Sequence, residues 1–141
     1  MVRKATSVWQ GTGKSGKGTV STGSGVINNM PYNFNQRFGE EPGTNPEELI
    51  AAAHAGCFNM ALAVRLENNG ITAEELTTTA NITMEKTEAG MSVTKSHLVL
   101  SGKVPGLDEA AFLEHANQAK AGCPISRLLS NIEITLEGKL A

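Results

Sequence analysis

The chain has 141 residues, a formal net charge of −2, 40% hydrophobic and 18% charged residues, the size and balance of one globular domain with one modest core over residues 1–141. That charge argues against a general nucleic-acid binder, and aromatic residues at 4% leave little for stacking on bases or sugars. No run approaches the roughly 20 consecutive apolar residues of a membrane span, and Met1-Val2-Arg3-Lys4 begins with a basic cluster but lacks the apolar stretch of a signal peptide behind it.

The reducing cytosol is therefore the expected compartment. There a catalytic or redox-sensing disulfide is favoured over a structural one. Residues 6–10 predict a short strand, and 11–18 a loop with four glycines. Residues 19–34 read as two strands interrupted by Gly23-Ser24-Gly25, with a turn at Asn28-Asn29-Met30-Pro31. One long helix follows. Asn45 suits its N-cap, Pro46 its first position and Glu48 the capping-box slot. The helix reaches about Asn68 and stops at Gly70. Its small residues Ala51, Ala52, Ala53, Ala55 and Gly56 cover every face, which predicts a buried helix approached closely by its neighbours.

Residues 76–86 and 91–103 predict two strands joined around Glu88-Ala89-Gly90, with a phase slip near Lys95-Ser96-His97 that suggests a bulge. A helix over 110–120 has Asp108 as N-cap and Gly122 as stop; a short helix follows Pro124. The last strand alternates most cleanly, with Ile132, Ile134, Leu136 and Leu140 on one side. Strands, helix, strands, helices and strand in that order predict an α+β fold, with antiparallel strands around the long helix, rather than a doubly wound parallel sheet.

Several residues invite a chemical reading. The glycine loop nearly spells a phosphate-binding loop, but Gly18 replaces the needed Ser or Thr, and a strand rather than a helix follows. His54 and Cys57, three apart on a helix, lack the further ligands of a zinc site, so no metal is expected and His54 reads as a satisfied helix histidine. Cys57, among Ala53, Phe58 and Ala61, suits a small packed hydrophobe. Cys123 stands before Pro124, where the positive end of a helix stabilises a thiolate; residue types alone make it the more acidic thiol. They leave open whether the two cysteines are inert or a redox pair. Arg37, in Asn35-Gln36-Arg37-Phe38-Gly39, is either a solvated loop residue or a partner that lowers a thiol pKa. Glu48 fills the capping slot, which leaves Glu47 free for another task.

Gly43-Thr44-Asn45-Pro46-Glu47-Glu48-Leu49, Ala53-His54-Ala55-Gly56-Cys57-Phe58 and Ala119-Lys120-Ala121-Gly122-Cys123-Pro124-Ile125-Ser126 together resemble the osmotically inducible protein C / organic hydroperoxide resistance family. The likeness extends to Gly16–Thr22, Asn33–Phe38 and the closing Ile134-Thr135-Leu136, and so spans essentially the whole chain. It implies a thiol-dependent peroxidase acting on organic hydroperoxides, and on hydrogen peroxide, with Cys57 as the attacking thiol and Cys123 as the resolving one. It implies that Arg37 and Glu47 hold and activate the Cys57 thiolate, which reverses the ranking of the two thiols. The hydroperoxide-resistance branch places its arginine in the first glycine-rich loop. Here that loop offers only Lys14 and Lys17, and Arg37 resembles the osmotically inducible branch.

Such a cycle needs no bound cofactor and no metal, only an external dithiol of the lipoyl type as reductant. Two rival readings share the same residues: a non-enzymatic binder of apolar ligands, whose cysteines stand too far apart to join, and a thiol redox sensor. Phe38, Met60 and Leu128 or Leu129 are the expected apolar wall. On a straight helix Glu47 and Cys57 are roughly 15 Å apart and point about 80° apart. Either the helix breaks at Gly56, or Glu47 acts through Arg37, or both come from a second subunit. A helix this apolar in a chain this small predicts an interlocked homodimer with its active sites at the interface.

Overall fold

The computed structural model describes all residues, Met1–Ala141, and the chain forms two compact units, Met1–Leu49 and Ile50–Ala141. The first holds an antiparallel sheet of β1 (Ala5–Gln10), β2 (Lys17–Thr22) and β3 (Met30–Tyr32) in that order. Gly18 pairs with both Trp9 and Tyr32 across the sheet. Their rings lie 5.4 Å apart, so a Cβ at Gly18 would stand 2.6 Å from one ring and 2.7 Å from the other. Only glycine admits that approach. The glycine loop leads into β2, as the sequence predicts, which removes the helix a phosphate loop requires. A short helix α1 (Phe34–Phe38) follows β3, with Asn33 as its N-cap accepting from the Gln36 N–H at 2.9 Å.

The long helix α2 (Pro46–Asn68) begins in the first unit and continues in the second. Its predicted start and stop are both found. The Glu48 N–H donates to Asn45 Oδ1 at 2.8 Å, and Gly70 adopts φ +73. It runs unbroken through Gly56.

The second unit is a sheet of β4 (Glu75–Thr87), β5 (Gly90–Lys103) and β6 (Glu133–Leu140), with α3 (Glu109–Gly122) and α4 (Pro124–Leu128) between β5 and β6. From Ser96 onward β5 alternates, and Ser96, Leu98, Leu100 and Gly102 are its buried row. Phe58, Leu62 and Leu66 of α2 and Phe112, Ala116 and Ala119 of α3 share one core with Leu98 and Leu100. The Phe112 ring rests on Gly102 where a Cβ would lie. The predicted bulge falls at Thr94, one residue early: Thr83 pairs with Lys95 but Met84 with Val93.

The α+β class holds, with three corrections of detail. β6 lies parallel to β5, so the strands are not all antiparallel; alternation marks a strand but not its direction, and the intervening helices are the crossover that parallel pairing needs. Within the chain α2 is buried along the stripe His54, Phe58, Leu62 and Leu66 and not on every face. Alanine and glycine permit close approach from any side but supply too little area to compel it. α2 also proves long and apolar enough to cross a membrane by length and composition, because alanines interleave its larger apolar residues, although no unbroken apolar run reveals it.

Candidate active site

The four residues singled out by the sequence fall into two pairs, one in each unit. In the second unit Cys57 projects from the middle of α2. Cys123 stands where α3 ends and α4 begins, capping both. Gly122 is the last residue of α3 rather than a left-handed stop, so the turn is made by Cys123, at φ −59 and ψ 127, before Pro124. Cys123 is fully buried and Cys57 half-buried, and both are free thiols. Cys123 Sγ donates to Cys57 Sγ at 2.7 Å. Bond formation requires closing to about 2.05 Å.

Burial is the main influence on the Cys57 thiol and pushes its pKa up; the hydrogen bond it shares with Cys123 adds to the rise, and charge repulsion between the two sulfurs adds a smaller part. The Ile125 backbone and the Arg127 guanidinium pull the other way but do not win. Cys57 opens on a groove of about 450 Å³ lined by Met60, Ala61, Val64, Arg65 and Pro124 among others, so the exposed side of the sulfur meets an apolar surface. Met60 is thus where the sequence places it, whereas Leu128 is 73% exposed.

Beneath the pair lies His54, one turn before Cys57. It is fully buried and bonded at both ring nitrogens, Nδ1 to Ser96 Oγ at 2.7 Å and Nε2 to Ser126 Oγ at 2.8 Å. Burial holds its pKa below the ordinary histidine value. It is the satisfied helix histidine that the sequence suggests. Its partners were not legible there, because Ser96 and Ser126 are 42 and 72 residues away.

In the first unit Arg37 sits in the last turn of α1 and Glu47 in the first turn of α2. Arg37 Nη2 donates to Glu47 Oε1 at 2.8 Å, and Nε donates to both carboxylate oxygens at 3.2 Å. This forked arrangement fixes the guanidinium in orientation as well as position. The loop between them is tied down: Gln36 Nε2 donates to the Pro42 carbonyl at 2.9 Å and Asn45 Nδ2 to the Gln36 carbonyl at 3.3 Å. Arg37 also lies 5.0 Å from the Phe38 ring centroid. It lines a cavity of about 380 Å³ together with Lys14, Trp9, Tyr32, Phe34 and Phe38. Four of the chain's six aromatic residues meet there. The clustering escapes a reading of composition because they come from three separate elements.

Residues 39–137 match the family model described as OsmC-like protein. The chain is 50% identical over 138 residues to peroxiredoxin OsmC of Escherichia coli, covering 98% of this chain and 96% of that protein. It is 35% identical over 98 residues to organic hydroperoxide resistance protein OhrA of Bacillus subtilis, covering 69% and 68% of the two. Among solved structures, organic hydroperoxide resistance protein OhrB of Bacillus subtilis superposes with a TM-score of 0.77 at 25% identity, covering 96% of this chain and 98% of that one.

Proposed function

The chain belongs to the OsmC-like protein family, and we propose that it is a thiol-dependent peroxidase that reduces organic hydroperoxides to alcohols. The observation that carries this reading is the contact of Cys123 Sγ with Cys57 Sγ at 2.7 Å beside an apolar groove. The extent of the likeness to the E. coli protein fits the osmotically inducible branch.

The chemistry balances with the chain's own residues. The Cys57 thiolate attacks the terminal peroxide oxygen; the O–O bond breaks and the departing alkoxide takes a proton to become the alcohol. Cys57 is now a sulfenic acid. The Cys123 thiol condenses with it, forming the S–S bond and releasing water. An external dithiol then restores both thiols by exchange and leaves as its own disulfide; a lipoyl-type dithiol is the proposed donor. Hydrogen peroxide fits the same cycle, with water in place of the alcohol.

Cys57 is the attacker in this reading because its sulfur borders the groove, whereas Cys123 is fully buried. Burial disfavours its thiolate, so a cation must compensate, and Arg37 held by Glu47 is assigned that task. With α2 unbroken at Gly56, Glu47 serves through Arg37. The pair acts on Cys57 either in its own subunit or in the partner of an interlocked homodimer. The reducing cytosol is the proposed compartment.

The rival binding module needs cysteines too distant to join, and these sulfurs touch. Cumene hydroperoxide, dithiol and the protein are mixed and dithiol loss is followed, then repeated with Cys57→Ser and Cys123→Ser. Cys57→Ser is expected to abolish turnover; wild-type activity in that variant ends the peroxidase reading, and turnover absent from the wild type leaves the redox sensor.

A further inference from the structure

Ser96 begins the core-facing row of β5, whose next positions carry Leu98, Leu100 and Gly102. A hydroxyl placed there is costly unless bonded, and its partner is His54. All three members of the chain Ser96–His54–Ser126 are at most 5% exposed. Burial disfavours the imidazolium, so the ring is neutral, donating from one nitrogen and accepting at the other. α4 has five residues, too few to be stable alone. Its Cys123 N-cap makes no side-chain capping bond, and Ser126 is its one buried residue. Ser126 is therefore the buried anchor within α4 itself, and Ser126 is bonded to His54.

The positions are reciprocal. His54 stands three residues before Cys57, and Ser126 three residues after Cys123. α2 and the Cys123 segment thus meet at two points a turn apart, sulfur on sulfur and imidazole on hydroxyl.

We propose that His54 and Ser126 are positioning residues that keep Cys123 seated against Cys57 during the sulfenic stage, and so protect Cys57 from overoxidation. This rests on the peroxidase reading above. The sulfenic acid has two fates. The Cys123 thiol attacks its sulfur, giving disulfide and water. Alternatively a second hydroperoxide transfers an oxygen to the sulfur, giving the sulfinic acid and another alcohol. The first fate needs Cys123 in place; the second needs only peroxide. Loss of the buried bond lowers the ratio of seated to unseated Cys123 about tenfold.

The test oxidises the reduced protein with a fixed excess of cumene hydroperoxide, and mass spectrometry reads the ratio of sulfinic to disulfide product at Cys57. In Ser126→Ala that ratio is expected to rise severalfold, to a ceiling of about tenfold, while the rate of the first oxidation by stopped flow changes about twofold or less. Ser126→Thr, which keeps the hydroxyl, is expected to restore the wild-type ratio. His54→Phe is the second variant should Ser126→Ala fail to fold, with the same rise expected. The double variant should raise the ratio no further than His54→Phe alone, because the bond that Ser126→Ala removes is already lost with the imidazole. An unchanged ratio with a normal first step overturns the positioning role alone. A first step slowed as much as the ratio rises also overturns it, since the pair would then act on Cys57 reactivity. A wild-type Cys57 that is not oxidised at all overturns the peroxidase reading, and this proposal with it.

Discussion

Cys57 is subject to opposing influences, and their balance decides whether it is a nucleophile. Burial raises its pKa, the neighbouring Cys123 raises it further, and Arg127 is the cation of its own unit that lowers it. A guanidinium brought beside a thiol favours the thiolate, and the forked grip of Glu47 on Arg37 supplies a rigid one. Arg37→Ala is therefore expected to move the midpoint of Cys57 alkylation with pH upward by about one unit or more. The sign follows from the charge: without the cation the anion loses support, and a higher pH is needed to form it. Iodoacetamide labelling of Cys123→Ser with and without Arg37→Ala measures this, and coincident curves would remove Arg37 from the site. Local sequence chemistry ranks the thiols by nearby charges and helix ends. That favours Cys123, because neither its complete burial nor the distant arginine belongs to its neighbours in the chain. The family likeness supplies the opposite order, and the exposure of the two sulfurs is consistent with it.

Among the elements, ends are the most legible feature. Asn45 and Asp108 each bond the backbone N–H three residues on, at 2.8 Å, because a short polar side chain before a helical run has that one local task. Positions set by another element are not legible in this way. Gly102 is an example. It occupies a strand interior, where glycine is otherwise unfavourable, and the structure explains it by the Phe112 ring of α3 lying where a Cβ would project. Gly102→Ala is expected to destabilise the protein by about 2 kcal/mol, since a fully buried ring must shift within a packed core. Urea titration of the reduced protein checks this; a midpoint equal to that of the wild type would mean that α3 yields freely. The parallel placement of β6 and the short helix α1 were likewise hidden. The first depends on the path of the crossover, and the second is a single capped turn too brief to show a period. The pairing of residues 57 with 123 and 54 with 126 has a partial signature in the equal spacing of the two motifs. It becomes a contact only when α2 and α4 are brought together.

On the scale of the whole molecule, one face of α2 remains unexplained by the chain alone. Its buried stripe is His54, Phe58, Leu62 and Leu66; opposite it Ala52, Ala53, Gly56, Met60, Ala63 and Val64 are exposed at helical spacing. Met60 is 71% and Val64 48% exposed, an apolar strip that water solvates poorly. Small residues at that spacing let a second helix approach closely. The occupant proposed is the same strip of a second copy, related by a two-fold axis. Light scattering at micromolar concentration is expected to give twice the 14.8 kDa chain mass. Ala63→Glu places a charge on the strip at a position outside the lining of the Cys57 groove and far from the Arg37 pair in sequence. It is expected to shift the protein towards monomer as the concentration falls, because two like charges would meet across the axis. Turnover measured on the same dilution series separates two arrangements of the active site. If Arg37 and Glu47 serve the partner's thiol, activity falls in step with the dimer fraction; if they serve their own, it persists in the monomer. A wild-type monomer at micromolar concentration would sink the homodimer outright, leaving the apolar face of α2 without its proposed cover.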